Sequence, residues 1–135
     1  MSTVLEEKDA IRELLARYCF HYDGGEFAAW MDLFTADCVF DAGPFGRYTG
    51  RAGLERFVQS MPLVNGLPMV RHCVTNELIR VDGARAHARS YVVVVRGGDQ
   101  LATALAGRYD DHLAKIGEEW RFQQRTILFD LLPKP

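Results

Sequence analysis

Two side chains of this sequence, Asp23 and His72, have the chemistry of an acid–base pair. Asp23 follows the aromatic residues Tyr18, Phe20 and Tyr22, so a carboxylate at this position is partly desolvated and needs a hydrogen-bond donor. An imidazole is a suitable donor. A carboxylate on one ring nitrogen fixes the tautomer and raises the basicity of the other nitrogen, which can then take a proton from a ligand.

Each residue of the pair also has a simpler interpretation. Asp23 precedes Gly24 and Gly25, and aspartate is common where a helix ends, which is the preferred interpretation on position alone. His72 opens a long predicted strand, and a single histidine on a strand is usually structural. The acid–base hypothesis therefore depends on whether the fold brings the two side chains into contact.

Hydrophobic periodicity predicts the elements that must position the pair. A capping box followed by apolar residues at three- and four-residue spacing predicts a helix over 4–22. Further helices are predicted over 26–34 and 50–60, on either side of a short strand pair at 37–41 and 46–49. Asp23 would then lie at the open end of a helix hairpin.

After Val70 the pattern changes to long strands joined by glycine-containing turns. Strands are predicted over 71–81, 84–96, 100–116 and 120–132, and they should form a meander. Helices followed by a sheet predict an α+β fold. We expect three N-terminal helices packed in the concave face of a strongly curved antiparallel sheet, enclosing a small-molecule pocket.

The first hairpin of this meander sets the face on which His72 lies. A two-residue turn at 82–83 places His72 opposite Val93 and puts Tyr91 on the same face, as a candidate pocket residue, although a single bulge would exchange the faces. His87 is more simply part of a solvated hairpin tip. The opposite face would be apolar and would promote self-association; its members are Ile79, Val81, Ala86, Ala88, Val92 and Val94.

Composition narrows the class of partner. The 135 residues are 48% hydrophobic with a net charge of -2 and no basic block, so nucleic acid is not an expected partner. The chain start lacks the pattern of a secretory signal and no run is long enough to span a bilayer, so we expect a cytoplasmic protein with no membrane partner. A small neutral or weakly charged ligand fits this composition better.

The sequence offers no recognisable motif for a metal, a disulfide framework or a nucleotide. Cys19, Cys38 and Cys73 fit neither a disulfide framework nor zinc spacing, and His112 has no demonstrated co-ligands. No glycine pair belongs to a nucleotide-binding motif. We therefore expect reduced thiols, no metal site and no nucleotide cofactor.

The residues around the pair resemble a known family. The stretch 11–23 and the stretch 30–40 are similar to the opening of SnoaL-like domains. Segments similar to later elements of the family lie at 48–51, 72–76, 107–109 and 119–122. The resemblance covers nearly the whole chain and implies one SnoaL-like domain over 1–135 with a cone-shaped α+β fold.

This superfamily includes polyketide cyclases, scytalone dehydratase, a dehydrochlorinase, steroid isomerases, dioxygenase small subunits and non-catalytic transport factors, so its fold alone does not define a function. An aspartate after the first helix and a histidine opening the long strand are similar to the dehydratase and dehydrochlorinase branch. This similarity implies a cofactor-independent lyase or isomerase acting on a hydrophobic cyclic small molecule. His72 would abstract the proton and Asp23 would orient His72.

Weaker similarities suggest further substrate-binding residues. Tyr18 and Phe40 match pocket-lining positions of the family, Tyr22 resembles the tyrosine of a tyrosine–aspartate pair, and Arg125 matches an arginine that could assist a leaving anion. Without the resemblance Tyr18 is a core residue and Arg125 is expected to be exposed. Alternative functions are a ligand-binding module with an idle pair, or an accessory subunit like the small subunit of ring-hydroxylating dioxygenases. A homodimer or homotrimer is expected in either case.

Overall fold

The structure is a computed structural model that describes residues 1–131 of the chain. These residues form three α-helices: α1 (Val4–Asp23), α2 (Phe27–Met31) and α3 (Gly50–Gln59). They also form six strands: β1 (Phe34–Asp41), β2 (Arg47–Thr49), β3 (Val70–Asp82), β4 (Arg85–Arg96), β5 (Ala102–Ile116) and β6 (Glu119–Leu128). The predicted α+β class is confirmed.

The six strands form one mixed sheet in the order β2-β1-β6-β5-β4-β3. Strands β3 to β6 make the predicted antiparallel meander, but β1 pairs with β6 in parallel. The prediction of a wholly antiparallel sheet is therefore wrong. Strands β2 and β3 run in the same direction, with α3 between them, and β2 is antiparallel to β1. The chain then reverses direction three times from β3 to β6, so β6 runs parallel to β1.

The first helix matches its prediction closely, whereas the second is shorter than predicted. The Thr3 hydroxyl accepts a hydrogen bond from the Glu6 backbone N–H at 3.1 Å and so begins α1. The second helix ends at Met31 rather than at Phe34. Phe34 instead begins β1, because it pairs with Phe122 and strand pairing with β6 replaces the helical hydrogen bonds.

A β-bulge changes the predicted register of the first hairpin. The turn lies at Gly83 and Ala84, one residue later than predicted, and this shift alone preserves the faces. Asn76, with φ of 60°, begins a bulge in which two residues of β3 oppose one residue of β4. His72 consequently lies opposite Val94 rather than Val93, so Tyr91 occupies the other face.

Because of the same bulge, the core-facing and outer-facing residues of the β3–β4 hairpin are exchanged relative to the prediction. Most of the residues assigned to an apolar outer face pack in the core beneath the helices; these are Ile79, Ala86, Ala88, Val92 and Val94. Val81 is partly buried against the same core. The exposed apolar residues of this hairpin are instead Leu78, Tyr91 and Val93. Self-association through an outer face stays a prediction.

The N-terminal part of α1 is attached to the sheet by a carboxylate. Glu7 accepts hydrogen bonds from Lys115 Nζ at 2.7 Å and from Trp120 Nε1 at 2.6 Å. The hydrogen bond from Lys115 is the main reason why the pKa of Glu7 falls to about 2. These contacts set the position of α1 along its length, and hence the position of Asp23 at its end.

The chain after β6 departs from its prediction. The last strand ends at Leu128, whereas a strand was predicted as far as Leu132. Leu132, Pro133 and Pro135, to which the end of that strand was assigned, lie outside the described residues. Within residues 1–131, no helix has the length and apolarity needed to cross a membrane.

Candidate active site

The structure brings Asp23 and His72 into direct contact. Asp23 Oδ1 lies 2.6 Å from His72 Nδ1, and the backbone N–H of His72 donates to Asp23 Oδ2 at 2.8 Å. Each side chain is only 8% exposed. One carboxylate thus holds both the backbone and the ring of the histidine, which fixes the plane and orientation of the imidazole.

The end of α1 explains why a carboxylate is held at this point. Asp23 is the last residue of the helix, and the chain leaves through Gly24 and Gly25, the second of which has φ of 71°. The negative end of the helix dipole disfavours a carboxylate there. Two N–H donors from the start of β3 offset this repulsion, so helix end and strand start stabilise each other.

The contact also determines which ring nitrogen of His72 can act as a base. An ionised carboxylate only accepts hydrogen bonds, so the neutral imidazole carries its proton on Nδ1 and donates it to Asp23. The lone pair is then on Nε2. The carboxylate also stabilises the imidazolium that forms when Nε2 takes a proton, which is the arrangement required of a general base.

Two tyrosines of α1 pack against the histidine ring. The ring centroid of His72 lies 4.8 Å from that of Tyr22 and 5.9 Å from that of Tyr18. The planes of the two phenol rings are inclined to the imidazole by 70° and 82°, respectively. Burial raises the pKa of both phenols above the ordinary value, so both remain protonated hydroxyls. The predicted helpers Tyr18 and Tyr22 therefore adjoin the dyad.

Phe40 is placed one layer further from the dyad. It is buried in the aromatic core, where its ring packs against Trp30 at 5.6 Å and against Phe57 at 5.0 Å. Phe57 in turn contacts Tyr22. Phe40 therefore supports the tyrosine that touches His72.

Arg125 lies inside the protein, so the expectation of exposure that rested on the residue alone is wrong. It is fully buried, with its guanidinium 3.3 Å from the Tyr109 ring centroid and 4.1 Å from that of Tyr18. Its Nε lies 3.1 Å from Asp111 Oδ1, which makes an ion pair. Tyr18 therefore contacts both His72 and Arg125.

Asp111 is a site-adjacent residue that the sequence reasoning missed. It pairs with Arg125 across β5 and β6, and burial raises the pKa of its carboxyl to about 7 while the guanidinium opposes that rise. A signal was present in the sequence: Asp110 and Asp111 are consecutive on a strand, so one of them must face inward. An ionised carboxylate that faces inward is costly unless a partner such as a buried cation compensates it.

Tyr91 is not part of this site. It is 54% exposed and lines an outer surface cavity of about 450 Å³ together with Leu78, Arg89 and Arg108. A second surface cavity, of about 370 Å³, is lined by residues near the β3–β4 turn. Neither cavity includes His72 or Asp23, so we locate the site by its dyad rather than by surface concavity.

The fold and the sequence together define the class of protein to which the chain belongs. A solved structure described as an NTF2-like protein with a cystatin-like fold, from Novosphingobium aromaticivorans, has a TM-score of 0.82 over 96% of this chain and 86% of its own, so the chain shares that fold. Residues 3–126 match the SnoaL-like domain family, and the chain belongs to that family. None of the curated proteins compared with the chain matches it.

Solved structures similar to this chain include one of unknown function and one named as an enzyme. A protein of unknown function from Mycobacterium tuberculosis is 28% identical, with a TM-score of 0.84, over 95% of this chain and 74% of its own. A protein provisionally assigned as a scytalone dehydratase, from Novosphingobium aromaticivorans, is 26% identical, with a TM-score of 0.79, over 91% of this chain and 83% of its own.

A third relative has a different kind of role in its name. The beta subunit of a provisionally assigned aromatic-ring-hydroxylating dioxygenase from the same Novosphingobium species has a TM-score of 0.83, over 99% of this chain and 95% of its own. At 22% identity this similarity concerns the fold alone. The fold thus occurs both in proteins named as enzymes and in one named as a subunit.

Proposed function

We propose that the chain is a lyase or isomerase in which His72 abstracts a proton from a hydrophobic cyclic small molecule. Asp23 orients the imidazole and stabilises its protonated form. The observation that carries the proposal is the double contact of one carboxylate with the backbone N–H and Nδ1 of His72, because it leaves Nε2 as a fixed acceptor. A merely structural histidine does not require this arrangement.

The proposed step is simple in its electron balance. Nε2 takes a proton from a carbon next to a leaving group or a carbonyl. In an elimination, the C–H electron pair forms a C=C bond while the leaving group departs with its own pair. In an isomerisation of a ketone that also carries a C=C bond, the pair forms a dienolate with its charge on the carbonyl oxygen, and His72 returns the proton to another carbon of that system.

Arg125 and the two tyrosines supply positive charge and hydrogen-bond donors on the same side of the sheet. The terminal nitrogens of Arg125 have no hydrogen-bond partner among residues 1–131, although the guanidinium is fully buried. Such donors are suited to a departing anion or a developing enolate, since electrostatic stabilisation is strong where water is excluded. Tyr18 and Tyr22, which remain protonated, would line the ring of the substrate.

Access to the dyad is proposed to involve the segment between α3 and β3. A Cβ atom on Gly25 would lie 2.6 Å from the Gly66 carbonyl oxygen, so this segment packs directly against the residues that follow Asp23. Apolar side chains of the segment, Leu63, Val64 and Met69, are exposed. A movement of the segment would uncover the dyad and offer apolar contacts to an entering ring.

Turnover of cyclic compounds tests the proposal. A panel of compounds with an acidic C–H beside a leaving group or a carbonyl would be incubated with the full chain, and product would be measured by mass spectrometry. For any compound that the wild type converts, the kcat of His72→Ala should be about 10²–10⁴-fold lower, which is the usual contribution of a general base. The control is His112→Ala, which removes an exposed histidine of the sheet and should retain full activity. Equal activity of both variants would refute the role of His72.

A second candidate function is a ligand-binding or accessory module with an idle dyad. The low exposure of the dyad and the exposed apolar residues of the outer face favour it. The two functions differ in one measurable respect. A module would bind a cyclic ligand saturably without converting it, and His72→Ala would change neither product formation nor deuterium exchange from D₂O.

A further inference from the structure

Two histidines and an aspartate meet on the outer face of the sheet, away from the dyad. His87 of β4 pairs directly with His112 of β5, and Asp110 lies two positions along β5 from His112. Asp110 Oδ1 is 2.9 Å from His87 Nε2 and 4.0 Å from His112 Nε2. The two imidazole rings have their centroids 5.0 Å apart with planes inclined by 31°.

We propose that His87, Asp110 and His112 bind one divalent transition-metal ion. One possible ligand atom from each residue lies within 4.8 Å of the other two. Two imidazoles and one carboxylate form a donor set that suits zinc and its neighbours in the first transition row. The set leaves at least one coordination position for water or a small anion.

The geometry needs only a small adjustment to close around an ion. Donors bound at zinc distances of about 2.0–2.2 Å in a tetrahedral site lie roughly 3.4 Å apart. The His87–Asp110 contact, at 2.9 Å, is shorter than this, so the two side chains would separate slightly as the metal replaces their hydrogen bond. His112 must move towards Asp110, from which its Nε2 is 4.0 Å away, and its side chain is 60% exposed.

The charges around His87, Asp110 and His112 influence how tightly these residues would bind a metal ion. Arg80 and Arg85 line the adjacent cavity of about 370 Å³ together with His87 and His112. Their positive charge opposes a bound cation, so we expect weaker binding than at a buried structural zinc site. The same charge favours a small anion at the open coordination position.

Sequence spacing could not have shown this site. His87 and His112 belong to different strands, and only the β4–β5 register places them opposite each other. Because successive residues of a strand face opposite sides, Asp110 points outward while Asp111 points to Arg125. The proposed metal site is therefore separate from the dyad and takes no part in the proposed proton transfer.

Titration with Zn²⁺ by isothermal calorimetry, on the full chain with any affinity tag removed, tests the proposal. Wild type should bind one ion per chain, and His112→Ala and Asp110→Asn should each weaken binding at least about tenfold, the lower end of the loss seen for outer-shell changes. The matched control is His21→Ala, because His21 also contacts a carboxylate, Glu26 at 3.3 Å, yet lies on α1. The His21→Ala variant should bind Zn²⁺ with the affinity of the wild type.

Three results would overturn the proposal. They are no saturable heat with wild type, unchanged affinity in His112→Ala, or loss of binding in His72→Ala with retention in His112→Ala, which would assign the ion to the dyad. An anomalous difference map of a Zn²⁺-soaked crystal provides a second readout. It should show the ion between His87, Asp110 and His112, and a peak elsewhere would contradict the assignment.

Discussion

Replacing Asp23 by asparagine should move the proton of the His72 ring from Nδ1 to Nε2. The carboxylate accepts two N–H donors, the His72 backbone and Nδ1. Asparagine offers one oxygen and one NH₂ group. The backbone N–H cannot give up its proton, so the amide oxygen should stay on it. The NH₂ group then faces Nδ1, and the ring must accept there.

The magnitude of the effect follows from the lost interactions. With its proton on Nε2 the neutral ring has no lone pair directed at a substrate, so activity should fall about 10²–10⁴-fold, or roughly 3–5 kcal/mol in the barrier. The two side chains are largely shielded from water. Weakening their hydrogen bond, whose acceptor is charged, should therefore also lower the free energy of unfolding by about 1.5–3 kcal/mol.

Imidazole nitrogen shifts in two-dimensional ¹⁵N NMR report the tautomer without a substrate. The wild type should show His72 protonated at Nδ1 when neutral, and Asp23→Asn should show it protonated at Nε2. Asp32→Asn is the control, since it makes the same change in an exposed carboxylate that contacts Arg51. A wild-type ring protonated at Nε2, or a tautomer unchanged in Asp23→Asn, would refute this reasoning.

Three further predictions concern the scaffold. Gly25→Ala should increase hydrogen exchange of the segment between α3 and β3, whereas Gly83→Ala, at a similar positive φ with open space around it, should not; equal exchange would contradict the packing argument. Asp111→Asn should cost about 3–5 kcal/mol in chemical denaturation because it leaves Arg125 uncompensated, and replacing both by leucine and methionine should cost less; a harmless single change would contradict the pair. Since the pKa of Glu7 falls from 4.5 to about 2 on folding, its stabilisation is present above pH 4.5 and lost as the pH falls through 2; Glu7→Gln should flatten the stability profile over this range, and an unchanged profile would contradict it.

Local patterns predicted much of the frame that positions the site. The capping box and apolar stripe fixed the length of α1 to within one residue, and hence the position of Asp23 at its end. Glycine-containing turns predicted the β3–β6 meander, because such turns have local sequence requirements. These features depend on residues close together in the chain.

Features that depend on pairing between distant segments could not be predicted. The bulge that begins at Asn76 moved Tyr91 to the outer face. Nothing in the local sequence required Asn76 to adopt a positive φ. Arg125 was expected outside because it follows two polar residues, Gln123 and Gln124, and the carboxylate that pairs with it, Asp111, lies on another strand. The resemblance to SnoaL-like domains matched Arg125 with an arginine that could assist a leaving anion, but it did not point to the carboxylate that accompanies it.

A crystal structure of the chain with a bound, unreactive analogue of a substrate tests the central claim most directly. If His72 is the base, the carbon that carries the acidic proton should lie about 3–3.5 Å from Nε2, the separation of a near-attack geometry. The carboxylate of Asp23 should keep its contact with Nδ1. An analogue bound in the outer cavity beside Tyr91, or one that reaches the dyad with its acidic carbon directed away from Nε2, would contradict the account.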